Sequence, residues 1–142
     1  MNEKGRILLI DDNRSLVLAA ERILQKEDYV VLTAFNGKEG LEKARAEKPD
    51  LIILDIVMPE MNGYVVCRQL KKAPETARIP VIILSVKGEV DETRAAPALG
   101  LEEVSDGYEC GAYNFLTKPV SASQLLDAVK NELSFSALLK GF

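Results

Sequence analysis

The sequence contains no histidine. Imidazole acid-base catalysis is therefore excluded, and the chain cannot form its own phosphohistidine. Only two cysteines occur, Cys67 and Cys110, far apart and without redox or metal-ligand spacing, so both read as reduced helix residues. No apolar run approaches the roughly 20 residues that cross a bilayer. The opening Met1-Asn2-Glu3-Lys4-Gly5-Arg6 is polar and leads straight into a strand-like run, without the pattern of a signal peptide. A basic stripe is also missing. The 18 Lys and Arg are spread along the chain against 22 Asp and Glu, for a net charge of −4, which is not the footprint of a nucleic-acid binder. There is no internal repeat and no low-complexity linker. A cytoplasmic protein is the default expectation, and 142 residues with an ordinary 47% hydrophobic content are enough for one domain with a sizeable core.

Strand-like and helix-like runs alternate, which is the pattern of a doubly wound α/β domain. Strands are expected at about Arg6–Asp11, Tyr29–Ala34, Leu51–Asp55, Ile79–Ser85 and Tyr113–Thr117. Helices are expected from Ser15 to Glu27, from Asn36-Gly37 to before Pro49, from Asn62-Gly63 to Lys72, and from Ser121 onward. Ser121 and Gln124 form a capping-box pattern. The stretch between Ser85 and Gly111 is longer than a loop and helix need. It reads as an extended loop over about 86–100 followed by a helix from Leu101 to Cys110. The domain is expected to span 1–134, with a short tail at 135–142 whose phenylalanines and leucines suit docking on the body, the plainer choice, or on a partner.

Four of the strand-like runs end in residues useful to phosphoryl chemistry. Ile7 to Ile10 leads to Asp11-Asp12, Leu51 to Leu54 to Asp55, Val81 to Leu84 to Ser85, and Tyr113 to Thr117 to Lys118-Pro119. In a parallel sheet with crossover helices the strand C-termini share one edge, and ligands bind there. Each residue alone has a plainer reading. An Asp-Asp pair often only caps a helix, and Lys-Pro usually marks a turn. Their coincidence at one edge favours a functional site. Asp55 is then the candidate nucleophile, able to form an aspartyl-phosphate. Mg²⁺ fits the oxygen-rich cluster. Asp12 and Asp55 would ligate it directly, Asp11 would hold a metal-bound water or orient Asp12, and the backbone carbonyl of Val57 would complete the protein ligands. Lys118 would reach a phosphoryl oxygen or Asp55 itself, and Ser85 would donate to another phosphoryl oxygen.

The stretches Ile7-Leu8-Leu9-Ile10-Asp11-Asp12-Asn13, Asp55-Ile56-Val57-Met58-Pro59-Glu60-Met61-Asn62-Gly63 and Asn114-Phe115-Leu116-Thr117-Lys118-Pro119 together resemble response-regulator receiver domains of two-component signalling. The resemblance covers about Lys4 to Leu133. It implies a flavodoxin-like, five-stranded parallel sheet in the order 2-1-3-4-5 and a cis Lys118-Pro119 bond. It implies phosphorylation of Asp55 by a partner histidine kinase or histidine phosphotransfer protein, with Mg²⁺ required. Such a chain is a signalling switch rather than an enzyme with a separate substrate, although it catalyses its own phosphorylation and dephosphorylation. Ser85 and Phe115 sit where the family's switch residues move in response, and the bland reading of Phe115 is a core aromatic. Family members often pair through the last helix and strand, so a homodimer stays open. The downstream target is not named by the sequence.

The chain departs from the family pattern at Val86, where a small residue is usual, and Val57 and Lys87 occupy positions that guide water to the acyl-phosphate. The branched Val86 would narrow the entrance for small donors, while an apolar Val57 that orients no water, with Lys87 near the phosphoryl group, implies a long-lived phosphoform. The sequence also accommodates a receiver cut from a longer regulator, a receiver-shaped module that is never phosphorylated, and an Asp-nucleophile phosphatase. Against the last, Val57 stands where such enzymes place a second carboxylate.

Overall fold

The computed structural model describes residues 4–58, 61–86 and 114–140. Strands and helices follow in the order β1 (Arg6–Ile10), α1 (Arg14–Gln25), β2 (Val30–Ala34), α2 (Gly37–Glu47), β3 (Leu51–Asp55), α3 (Gly63–Lys72), β4 (Val81–Val86), β5 (Asn114–Lys118) and α4 (Ala122–Lys140). The five strands form one sheet in the order β2-β1-β3-β4-β5, and every neighbouring pair is parallel. This is the doubly wound order expected from the sequence.

The period-two geometry of a strand sends alternate side chains to opposite faces. Leu8 and Ile10 of β1, Ile52 and Leu54 of β3, and Val81 and Ile83 of β4 pack with Leu41 of α2 and Val66 and Leu70 of α3. Ile7 and Leu9, Leu51 and Ile53, and Ile82 and Leu84 pack on the other face with Val17 and Leu24 of α1 and Leu125 and Val129 of α4. All five residues of β3 are buried, as its unbroken apolar run requires when helices cover both faces. Burying each such Leu or Ile side chain contributes about 1.5–3 kcal/mol before chain entropy is subtracted.

Three helices start at the same sheet edge with an asparagine cap. The side chains of Asn13, Asn36 and Asn62 accept from the backbone N–H of Leu16, Glu39 and Val65 respectively. Each cap satisfies one of the orphan donors of a first turn. The capping box of α4 forms in both directions, each bond 3.0 Å long, between Ser121 and Gln124.

The structure differs from the sequence reading at several boundaries. β1 stops at Ile10, and β4 begins at Val81 rather than Ile79. Pro80 cannot donate to the ladder, but its carbonyl accepts from the Ile52 N–H at 3.0 Å. β4 also includes Val86, which was expected in the loop. The rest of the expected 86–100 loop, Lys87 and the expected Leu101–Cys110 helix lie outside the described residues. The expected tail at 135 is instead the continuation of α4 to Lys140. Phe135 and Leu138 are not docked on the body, with 57% and 61% of their surface exposed.

Candidate functional site

Strand register brings the acids together. Ile10 pairs with Leu54 across β1 and β3, so the next residues, Asp11 and Asp55, emerge side by side at the C-terminal edge. Both are buried, at 2% and 4% exposure, whereas Asp12 is exposed at the rim. Oxygens of Asp11, Asp12 and Asp55 all lie within 4.8 Å of one another.

On the other flank, β5 ends in Lys118, whose backbone pairs with Val86. The Lys118–Pro119 peptide bond is cis. The ammonium of Lys118 donates to Asp55 Oδ1 at 2.9 Å and to Asp11 Oδ2 at 3.2 Å. The other oxygen of Asp11, Oδ1, accepts from the Asn13 N–H at 3.0 Å. Asp11 therefore has a donor on each oxygen. The backbone of Ser85 pairs with Thr117, one step beyond the Asp55–Leu84 pair. Phe115 is partly buried against the core on the α2–α3 face, and its backbone pairs with Ile83. Val57 is 54% exposed beside Asp55.

The electrostatics follow from this crowding. Burial pushes the Asp55 carboxyl up from 3.8 to about 6, and the charges of Asp11 and Asp12 push the same way against the pull of Lys118. Burial alone would lower the Lys118 ammonium, but its hydrogen bond to Asp55 and the charges of Asp11 and Asp55 outweigh that and raise it. Lys118 thus stays protonated at any ordinary pH.

Among the described residues one ammonium faces a cluster of three carboxylates, which leaves a local surplus of negative charge. A hard divalent cation with oxygen ligands fits that donor set. Asp11, Asp12 and Asp55 each offer one carboxylate oxygen to such an ion. Asp11, with both oxygens already engaged, fits contact through water.

The sequence located every one of these acids and Lys118, but not how the lysine is shared. Asn13 was missed as a support for Asp11, although a short polar residue after Asp-Asp and before a helix is a cap signal. Gly63 was read only as a helix opener. Its ideal Cβ would lie 2.5 Å from the Asp55 carbonyl oxygen, so its lack of a side chain concerns the site directly.

Comparison with known proteins agrees with this geometry. Residues 7–130 match the family model described as the response regulator receiver domain. The protein PilH of Pseudomonas aeruginosa is 39% identical over 131 residues, covering 92% of this chain and 98% of PilH. PhoP of Bacillus subtilis, an alkaline phosphatase synthesis transcriptional regulatory protein, is 38% identical over 130 residues. The match covers 92% of this chain but only 48% of PhoP. Among solved structures, the signal receiver domain of a signal transduction histidine kinase from Syntrophus aciditrophicus superposes with a TM-score of 0.75 at 36% identity. That superposition covers 92% of this chain and 90% of the solved one. Sheet order, clustered acids and a family match along most of the length agree: the chain belongs to the response regulator receiver domains of two-component signalling.

Proposed function

We propose that this chain is a phosphorylation-dependent switch in which Asp55 accepts a phosphoryl group from the phosphohistidine of a partner histidine kinase or phosphotransfer protein. The observation that carries the reading is the buried Asp55 carboxylate held by Lys118 at 2.9 Å inside a three-carboxylate cluster. The donor histidine must come from outside these residues, since they contain none.

A pKa of about 6 keeps Asp55 ionised at neutral pH, ready to attack. One of its carboxylate oxygens forms a bond to phosphorus as the bond from phosphorus to the donor imidazole nitrogen breaks, and the nitrogen keeps the electron pair. The obstacle is repulsion among negative oxygens, so the protein contributes mainly position and positive charge. When bound, Mg²⁺ supplies part of that charge against the phosphoryl oxygens. Asp12 and Asp55 are the residues proposed to hold it, with the Val57 carbonyl, and Asp11 acts through a water. Lys118 aims Asp55 before transfer, then exchanges that bond for one to a phosphoryl oxygen while its bond to Asp11 is kept. Ser85 is assigned as the hydroxyl donor that moves toward that group.

The new group adds about −1.5 to −2 charge. Such a charge shifts a two-state surface only if one state binds it better. Ser85 and Phe115 are the residues assigned to that change. Their neighbouring strands β4 and β5 are paired in register, which supports a coupled movement. The reading keeps the cytoplasmic location expected from the sequence.

The test is direct. Acetyl phosphate with Mg²⁺ should add one phosphoryl group by intact mass, and beryllofluoride with Mg²⁺ should bind in its place. Asp55→Asn should abolish both. A folded wild-type protein that takes up neither reagent refutes the reading.

A further inference from the structure

We propose that Gly63 is a positioning residue for the metal and phosphoryl site, holding the peptide that follows Asp55 by direct contact with the first turn of α3. The inference rests on the reading of Asp55 as acceptor and Val57 as a carbonyl ligand. It concerns a residue that touches neither metal nor phosphoryl group.

The geometry is unusually close. A Cβ on Gly63 would lie 2.5 Å from the Asp55 carbonyl oxygen and 2.8 Å from Ile56 Cα. Both are backbone atoms, so no neighbouring side chain can rotate out of the way. Gly63 is the first residue of α3, and its N–H is one of the donors left without a partner inside a helix. Here that N–H donates to the Ile56 carbonyl at 2.8 Å. The Ile56 N–H in turn donates to the Leu84 carbonyl at 3.2 Å. Both backbone groups of Ile56 are therefore committed, one to β4 and one to α3. The next carbonyl along the chain is that of Val57.

The helix that makes this contact is firmly seated. Asn62 caps it through the Val65 N–H at 3.0 Å, and Tyr64, Val66, Cys67 and Leu70 are buried. The first turn of α3 acts as a stop against which the Asp55–Ile56 backbone is set. Any side chain at 63 must back the helix off or turn the 55–56 peptide, and either movement displaces the carboxylate and the carbonyl beyond it. Supporting partners of metal ligands typically change metal affinity by about 10–100-fold when removed.

A second glycine supplies the control. A Cβ on Gly37 would meet Val66 Cγ2 at 2.8 Å and Met61 Sδ at 3.0 Å, which is side-chain crowding between α2 and α3 away from the site backbone. In the full chain, Gly63→Ala should weaken Mg²⁺ binding by at least about tenfold, read by calorimetry, and weaken beryllofluoride binding with it. Gly37→Ala should lower the melting temperature and leave Mg²⁺ affinity unchanged. Wild-type affinity in a folded Gly63→Ala, or equal weakening in both variants, would overturn the inference. Should Gly63→Ala not fold, hydrogen exchange of the Gly63 amide in the wild type decides: Mg²⁺ should slow it, and an unchanged rate overturns the proposal. Failure of the wild type itself to bind Mg²⁺ and beryllofluoride would instead refute the function proposed above.

Discussion

Replacing Asp55 with asparagine should make the metal-free protein more stable at neutral pH. Asparagine keeps the shape of the side chain and removes its charge. In the wild type, burial and the neighbouring acids raise the Asp55 carboxyl from 3.8 to about 6. At about 1.4 kcal/mol per pK unit, an ionised Asp55 costs the folded state about 3 kcal/mol at pH 7.5. Asparagine also gives up the charge of Asp55 on Lys118, although that ammonium keeps Asp11 Oδ2 at 3.2 Å. A net gain of about 1–3 kcal/mol follows, a rise in melting temperature on the order of 5 °C for a domain of this size. The sign fixes the pH window. A carboxyl with a raised folded pKa binds its proton more tightly in the folded state. Wild-type stability from this source therefore falls as pH rises from 3.8 to about 6 and stays low above that. The advantage of Asp55→Asn should be full at pH 7.5, about half as large at pH 5 and small at pH 4. Thermal and urea unfolding by circular dichroism in EDTA would measure it, and saturating Mg²⁺ should narrow the gap by stabilising only the wild type. Equal or lower stability of the variant at pH 7.5 in EDTA, or a difference that does not shrink toward pH 4, would refute the reasoning.

Lys118→Met should leave Asp11 and Asp55 facing each other without a counter-ion. Urea unfolding at pH 7.5 should then show a loss of about 2–4 kcal/mol, below the value for a fully buried pair because Lys118 is partly exposed, and lowering the pH should recover part of it. Leu54→Ala should cost about 2–5 kcal/mol, because the site is fully buried in the central strand and collapses poorly; a loss under about 1 kcal/mol would mean the β3 core is looser than described. Val57→Asn should shorten the lifetime of the phosphoform, since an exposed amide beside Asp55 can orient water where valine cannot. Decay followed after removal of acetyl phosphate checks this, and an unchanged half-life would count against it.

The sheet was legible because its strands are short, largely apolar runs, and four of the five lead into a polar residue with chemistry. Leu51–Asp55 shows this most clearly, since burial on both faces leaves no polar position before the last. The capping box at Ser121 was legible because both its bonds are local. The sharing of Lys118 was not, because it joins residues 63 and 107 positions apart and depends on the register of three strands. Nor was the close approach at Gly63, which depends on where α3 lands on the strand end. The reading of the last turns failed for a different reason. Apolar character predicts burial only where there is something to pack against. Leu133, Ser136 and Ala137 line the lower edge of the sheet near Gly5, whereas Phe135 and Leu138 lie on the other side of the helix and meet solvent. The helix continues there because its sequence still favours it.

The sharing of one ammonium between β1 and β3 has a consequence for biosynthesis. Asp55 lies in the first half of the chain, and the ammonium that holds it arrives only with the final strand. A nascent polypeptide that has emerged as far as β4 carries Asp11 and Asp55 without that ammonium. Under the function proposed above, competence to take up a phosphoryl group comes late in synthesis, once the last strand has joined the sheet.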